Sequence, residues 1–520
     1  DGDNNTAMGY LALNDFEADT DGHGNNTAVG SSSMSNATTG TENTAVGTLA
    51  IGTGVTTGNS NVAVGYAAGY NLTTGNANCI VGTNAGDALT TGYFNVAMGH
   101  NALSSSVSGR NSTAIGHNTL KVENVADDEA YNVAVGYQAG LGVTTAVQNT
   151  LIGAVAGQAV TTGANNTALG HQALKANTIG NANVAIGKNA MLTNVAGDTN
   201  VAVGYDSLRV MTSATTADMY NTAVGHSSGK AITSGVKNTI LGGLAGDAIT
   251  TGTGNIAIGY NALAVEDTGN SSVAIGQNCL QAQNNNASNF NTAIGDHAAL
   301  ALTSGIKCTA IGASSLGAGV TTGALNSALG FESGKALTSG ANNTLIGSLA
   351  GDALTTGDNN IIIGYTAAAA GVGVDNTTVI GTATTTNAVV HGLRTPLTSA
   401  AGNVAAARIN NIHVFSDADG AIVTLPDSGD GSLVGASFDF AVTTAATSNL
   451  HKIVCTDTTN EVILGALVMV DTDTSDAIVG MAAETDDSFS AVSFNGTTTG
   501  GRIGTKVKIT NIAADKWFVE

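Results

Sequence analysis

Gly225-His226-Ser227-Ser228-Gly229 spells G-x-S-x-G, the spacing that lifts a serine nucleophile onto a sharp strand-to-helix turn in α/β hydrolases. The same five positions read Gly65-Tyr66-Ala67-Ala68-Gly69 and Gly136-Tyr137-Gln138-Ala139-Gly140 in sister segments. The serine therefore belongs to a repeat, and no enzymatic role is expected of it. His100, His117, His171 and His226 each follow a glycine, at a position held elsewhere by Tyr10, Tyr66, Tyr137, Tyr205, Tyr260 and Tyr365. Rings filling one slot of a stacked structure account for them, and metal or anion binding by symmetry-related copies is the sharper alternative.

Asp87, Asp247 and Asp352 follow glycine at equivalent turn sites, where an Asx-turn is the ordinary role and a calcium ladder the alternative. In the run from Asp471 to Asp476, the carboxylates Asp471, Asp473 and Asp476 have calcium-like spacing. The run lacks the sixth-position glycine and twelfth-position glutamate of an EF-hand, so it reads as a solvated acidic loop or a structural Ca²⁺ site. Cys79, Cys279, Cys308 and Cys455 lie far apart with no CxxC, which gives neither a zinc signature nor a disulfide framework and leaves isolated thiols. No other cofactor is implied.

What positions these residues is a pentad: Asn, then Thr or Val, then Ala, then Val, Ile or Leu, then Gly. Asn26-Thr27-Ala28-Val29-Gly30 and Asn183-Val184-Ala185-Ile186-Gly187 are two of 22 copies whose closing glycines run from Gly9 to Gly381. Of the 21 intervals between those glycines, 15 are 17 residues and the others 18 to 21. So regular a period is the signature of a solenoid. After each pentad come a polar position, a second short apolar stretch such as Ala88-Leu89, and a Thr-Thr-Gly or Thr-Ser-Gly turn such as Thr90-Thr91-Gly92. Glycine there is expected to supply positive φ or close backbone approach.

Each unit is thus one coil of a parallel β-solenoid, and at about 4.8 Å per strand the coils would stack into a rod of roughly 100 Å. Extra residues fall at 13–24, 121–131, 209–220 and 281–290, on the outer surface. Alternation along a strand sends the second and fourth pentad residues to one face and Ala to the other. Both faces are apolar, yet a thin coil has one interior. The leftover stripe predicts burial against another chain, and hence an oligomer.

Composition agrees. At about 150 residues per domain, 520 residues would suggest three or four globular domains. Here 69 residues are Gly, 2 are Pro, charged residues are 10% and aromatics 4%, which is too few large side chains for a thick core. A net charge of −22 leaves no basic stripe, so nucleic acid is not an expected partner. No run of 18 apolar residues and no signal-peptide pattern occurs, so membrane insertion is not expected. The chain opens Asp1-Gly2-Asp3, as a segment of a longer protein would.

Across residues 1–384 the Asn-Asn-Thr-Ala-Val-Gly spelling resembles the head repeat of trimeric autotransporter adhesins. Those pentads build a left-handed parallel β-roll of three chains around one axis. Related repeats occur in long bacteriophage tail fibres, particularly marine and cyanobacterial ones. The adhesin unit is shorter than 17 residues, so the turns must differ. A heptad stalk and a membrane β-barrel, which adhesins carry, are absent from the sequence given. The resemblance implies a homotrimer, a virion tail location and a role in host attachment, with a bacterial cell-surface adhesin head as the alternative.

The repeat ends after Gly381. Residues 385–410 read as a neck with a short helical turn at Ala405-Ala406-Ala407-Arg408, and 411–520 as a separate β-sandwich-like or barrel domain. Its strand-like runs are Ile412 to Phe415, Ala421 to Leu425, Ser437 to Val442, Lys452 to Cys455, Val462 to Val470, Ser488 to Phe494, Lys506 to Ile509 and Trp517 to Val519. Asn495-Gly496 is a hairpin signal. The expected whole is an all-β trimeric fibre. Its 411–520 tip would bind a host receptor, a glycan or outer-membrane component, or else register the trimer, and its N-terminal side would join other tail or fibre proteins.

Overall fold

The structure is a computed structural model. It describes residues 4–382 apart from 17–23, 53, 127–128, 213–216, 286–287, 318 and 320, and beyond 382 the strands named below together with Leu425. The chain forms two compact units, Asp1–Ala388 and Val389–Glu520. Among the described residues there is no helix.

In the first unit all 22 pentads are three-residue strands, from Thr6–Met8 to Thr378–Ile380, joined in one parallel sheet. Each pairs residue for residue with the next, as in Thr27↔Thr44, Ala28↔Ala45 and Val29↔Val46. Alternation decides the faces. The middle residue is 0% exposed in Ala28, Ala45 and Ala63, while both flanking residues stay partly or largely in solvent. This is the parallel β-solenoid of 17-residue coils that the period predicts.

The rest of each coil is turns rather than a second broad sheet. Three positions per coil adopt a left-handed backbone, and in one coil these are Phe94 (φ 59), Asn101 (φ 56) and Leu103 (φ 55). Non-glycine residues therefore supply most of the corners. Of the two expected roles of the Thr-Thr-Gly glycine, the structure shows close approach at Gly92, where a Cβ would lie 2.3 Å from Gly109 O. The pentad glycine meets both demands. Gly65 has φ +136, and its Cβ would fall 2.6 Å from Gly82 O in the next coil.

Small residues fill the thin interior by exchanging volume between neighbouring coils. At four coils with a large middle pentad residue, Ile80, Leu151, Ile240 and Leu345, the fourth residue after the closing glycine is glycine in that coil and in the one before. A Cβ on Gly86 would meet Ile80 Cδ1 at 3.3 Å, and one on Gly334 would meet Leu345 Cδ1 at 2.6 Å. In coils such as those of Ala97, Ala168 and Ala257, where the middle residue is Ala there and in the next coil, that position instead carries a buried Leu: Leu103, Leu174 and Leu263. The recurrent Ala85-Gly86-Asp87-Ala88-Leu89-Thr90-Thr91-Gly92 block is one half of this exchange. Close packing of this kind makes stability a sum over coil-to-coil contacts.

The pentad Asn forms a second interior device. Asn166 Nδ2 donates to Asn149 Oδ1 (3.1 Å) and Gly180 O (2.9 Å), and Asn166 Oδ1 accepts from the backbone N–H of Asn183 (3.0 Å). Such amide ladders run through Asn26–Asn95, Asn132–Asn255 and Asn326–Asn360, and are interrupted at Ser112, Ser272 and Cys308.

In the second unit the chain alternates between two sheets. Pro396–Thr398, Ile412–Phe415 and Ser437–Val442 pair in parallel in one, and Gly402–Asn403, Ile422–Thr424 and His451–Val454 in the other. The 385–410 neck thus contributes strands to these sheets, while Ala405 to Arg408 lie outside the described residues. Lys506–Ala513 adds antiparallel to Ser437–Val442, followed by Lys516–Val519 and then Val462–Leu464. Ala491–Phe494 adds antiparallel to His451–Val454, and Ala466–Met469 pairs with Val479–Ala482. The two strands on either side of Asn495-Gly496 belong to different sheets, so no hairpin forms between them.

Candidate functional site

The outward residues of the pentad strands make one continuous strip. They are Thr, Val, Ser, Cys or Ile at the second position and Met, Val, Ile or Leu at the fourth, and none carries a charge in any of the 22 strands. In a chain of net charge −22 this strip carries no charge over its whole length. Several of its larger members are well exposed: Leu169 45%, Leu241 46% and Leu329 48%. Parallel in-register pairing is what brings them into line.

Along one border of the strip runs the aromatic position that follows each closing glycine. His100 and His117 stack at 5.1 Å and 9°, His117 continues onto Tyr137 at 5.5 Å, and Tyr205 stacks on His226 at 5.3 Å. These stacks span three coils and two coils, and His171 is in neither: it sits between Ala154 and Lys188, with no ring at that position in the adjacent coils. Before the pentad Asn, on the other side of the strand, Phe94, Tyr131, Tyr220 and Phe290 are exposed.

Ser227, the centre of G-x-S-x-G, is 4% exposed with φ 54, and His226 is engaged with Tyr205. Ser228 is buried and donates to Gly225 O at 3.0 Å. The arrangement is a coil corner, not a strand-to-helix elbow. Asp87, Asp247 and Asp352 lie many coils apart. Burial pushes the Asp87 and Asp247 carboxyls up, against a smaller opposing effect of Lys121 and Lys230 respectively. Among the described residues no group of three His, Cys, Asp or Glu could hold a metal. Asp471, Asp473 and Asp476 lie outside the described residues.

Cys279 and Cys308 are buried free thiols, Cys79 is a half-buried free thiol on the outward strip, and Cys455 lies outside the described residues. Sequence reasoning missed two interior acids, Glu123 and Glu266, both 0% exposed. Glu266 accepts from the Gly269 N–H (2.7 Å), Gln283 Nε2 (2.8 Å) and Asn289 Nδ2 (2.9 Å). The available signal was a polar residue in the slot that holds Leu72, Leu89 and Ile249 in other coils.

No family model, no curated protein and no solved structure matches the chain.

Proposed function

We propose that the chain is a structural fibre protein, a homotrimeric phage tail fibre. Its solenoid is the shaft, and its second unit attaches to a host-cell receptor of glycan or outer-membrane chemistry. The observation that carries this reading is the uncharged apolar strip along the 22-strand sheet, which three copies facing one axis would remove from water. The three-fold form rests on the resemblance of the pentads to adhesin heads. A virion location rests on the same resemblance to tail-fibre repeats, and structural Ca²⁺ remains part of the proposal only at Asp471, Asp473 and Asp476.

Two measurements test it. Light scattering is expected to give three times the 51.1 kDa chain mass, and a bis-maleimide is expected to link Cys79 between chains. A monodisperse 51.1 kDa particle with singly labelled Cys79 would refute the trimer. Gold-labelled antibody against residues 411–520 should mark the distal ends of fibres on phage particles. Label on filaments rooted in a cell envelope would instead make the chain an adhesin head.

A further inference from the structure

Ser112 interrupts the interior amide ladder, and Glu123 fills the gap. Glu123 Oε1 accepts from Ser112 Oγ at 2.7 Å, and Glu123 Oε2 lies 3.5 Å from Asn132 Nδ2. One coil earlier in the same slot, Ser106 Oγ is buried without a hydrogen-bond partner. A Cβ on Gly109 would lie 2.6 Å from Ser106 Oγ and 3.2 Å from Glu123 Oε1, so the hydroxyl and the carboxyl line the same small space.

The groups that act on Glu123 are neutral. Burial is the largest influence, offset in part by the bonds from Ser112 and Asn132, and it pushes the carboxyl up to about 7. The charged and titratable side chains of these coils are engaged elsewhere. Arg110 lies over the Tyr93 ring at 4.4 Å, Lys121 acts on Asp87, and His100 and His117 stack on each other. An ionised Glu123 therefore sits in a dry interior with no cation. A neutral one adds a donor beside the unpartnered Ser106 Oγ.

The chain closes an equivalent gap with an amide in place of the carboxyl. Ser272 interrupts the ladder, and Gln283 stands the same 11 residues after it as Glu123 does after Ser112. Gln283 Nε2 donates to Ser272 Oγ at 2.9 Å, and Gln283 Oε1 accepts from Asn291 Nδ2 at 2.9 Å. The acid of that gap, Glu266, is met by N–H donors of Gly269, Gln283 and Asn289, whereas Glu123 has only the Ser112 hydroxyl and the distant Asn132 amide.

We propose that Glu123 is a proton-operated clasp in the solenoid interior: protonated, it holds the coils around Ser112 and Asn132 closed; ionised, it loosens them, giving the shaft one joint whose stiffness follows pH. The proposal is independent of the function proposed above.

Hydrogen exchange of the full chain at pH 5.5 and 8.5, corrected for intrinsic rates, tests it. Backbone amides of residues 103–123 and 132–140 are expected to lose about tenfold or more of their protection at the higher pH, because a raised acid pKa makes opening easier once the proton is gone. Residues 344–363 serve as the internal reference and should not change. Glu123→Gln puts the amide that Gln283 has into the Glu123 position, removes the ionisable group and should abolish the difference. The double variant His100→Asn, His117→Asn should keep it, and provides the decision if Glu123→Gln does not fold. Protection independent of pH, an effect that survives Glu123→Gln, or one lost with the histidines would overturn the proposal.

Discussion

The side-chain oxygen of Asn43 accepts two hydrogen bonds from Asn61, one from its backbone N–H (2.9 Å) and one from its Nδ2 (3.0 Å), while that Nδ2 also reaches Gly75 O at 2.9 Å. The amide thus serves as acceptor to one coil and donor within its own. The near-isosteric carboxylate of Asp would accept but could not donate.

Replacing a ladder residue in mid-run should be costly. Asn166→Ala removes the acceptor for Asn183 and the donor to Gly180 O, leaving buried groups unpaired, and is expected to destabilise the chain by about 2–4 kcal/mol. Asn166→Asp loses the donor and adds a buried charge, so it should be worse at pH 8 than at pH 4. Urea melts of the three proteins measure both differences.

The volume exchange predicts coupling between two positions in neighbouring coils. Leu345→Ala should cost about 2–5 kcal/mol by leaving a cavity. Gly334→Ala should be destabilising through its φ of +60 and a Cβ 2.6 Å from Leu345 Cδ1. The double variant is expected to cost less than the sum by about 1 kcal/mol, because removing Leu345 relieves the clash but not the strain. Additive values from a double-mutant cycle would contradict the exchange.

Glu123 sets a pH dependence of known sign. Its folded-state value of about 7 lies above the ordinary 4.5, so the stability it contributes is complete below about pH 4.5 and is lost as pH rises through 7. The loss is on the order of 3 kcal/mol. Glu123→Gln should therefore raise the melting midpoint at pH 8 relative to the parent, and the gain should vanish at pH 4.5.

Burial pushes the Cys279 thiol up to about 12 and also raises Cys308. Maleimide at pH 7.5 is expected to leave both unlabelled in the folded chain and to label both in guanidinium, as read by mass spectrometry of the peptides.

Leu169→Glu and Leu241→Glu place charges on the outward strip, where the side chains are 45% and 46% exposed and touch no core. Each should leave the circular dichroism of the chain unchanged. The pair together should convert the assembly to 51.1 kDa particles by light scattering.

The period and the alternation of each strand were legible because alternation and the 17-residue return act within one coil. That Thr27 and Val29 share one side and Ala28 takes the other could be read from sequence, but which side is interior could not, because both are apolar; the aromatic slot could be read from Tyr66 and His100 sharing a position. The Asn ladder was not legible as a device, because its bonds join residues of separate coils and a polar residue opening a strand reads equally well as solvent-facing. The Ile80–Gly86 exchange was written in the sequence, but only as a correlation between coils. In the second unit each of the expected runs contains a strand, while Val479–Ala482 was missed and the 462–470 run divides into Val462–Leu464 and Ala466–Met469. The partner of Val462–Leu464 was hidden because parallel pairing between distant strands leaves no local turn signal.

Each coil is bonded only to the one before and the one after, so a pull along the stack is carried through every junction in series. The junctions are not equal. At Ser112, Ser272 and Cys308 the backbone N–H still reaches the preceding Asn oxygen, but the side-chain amide donor is missing. Glu123 and Gln283 bond the two serines, and Cys308 Sγ reaches Gly323 O at 3.4 Å. A load along the stack would therefore be shared unevenly, with fewer side-chain bonds at these three junctions than within the amide runs.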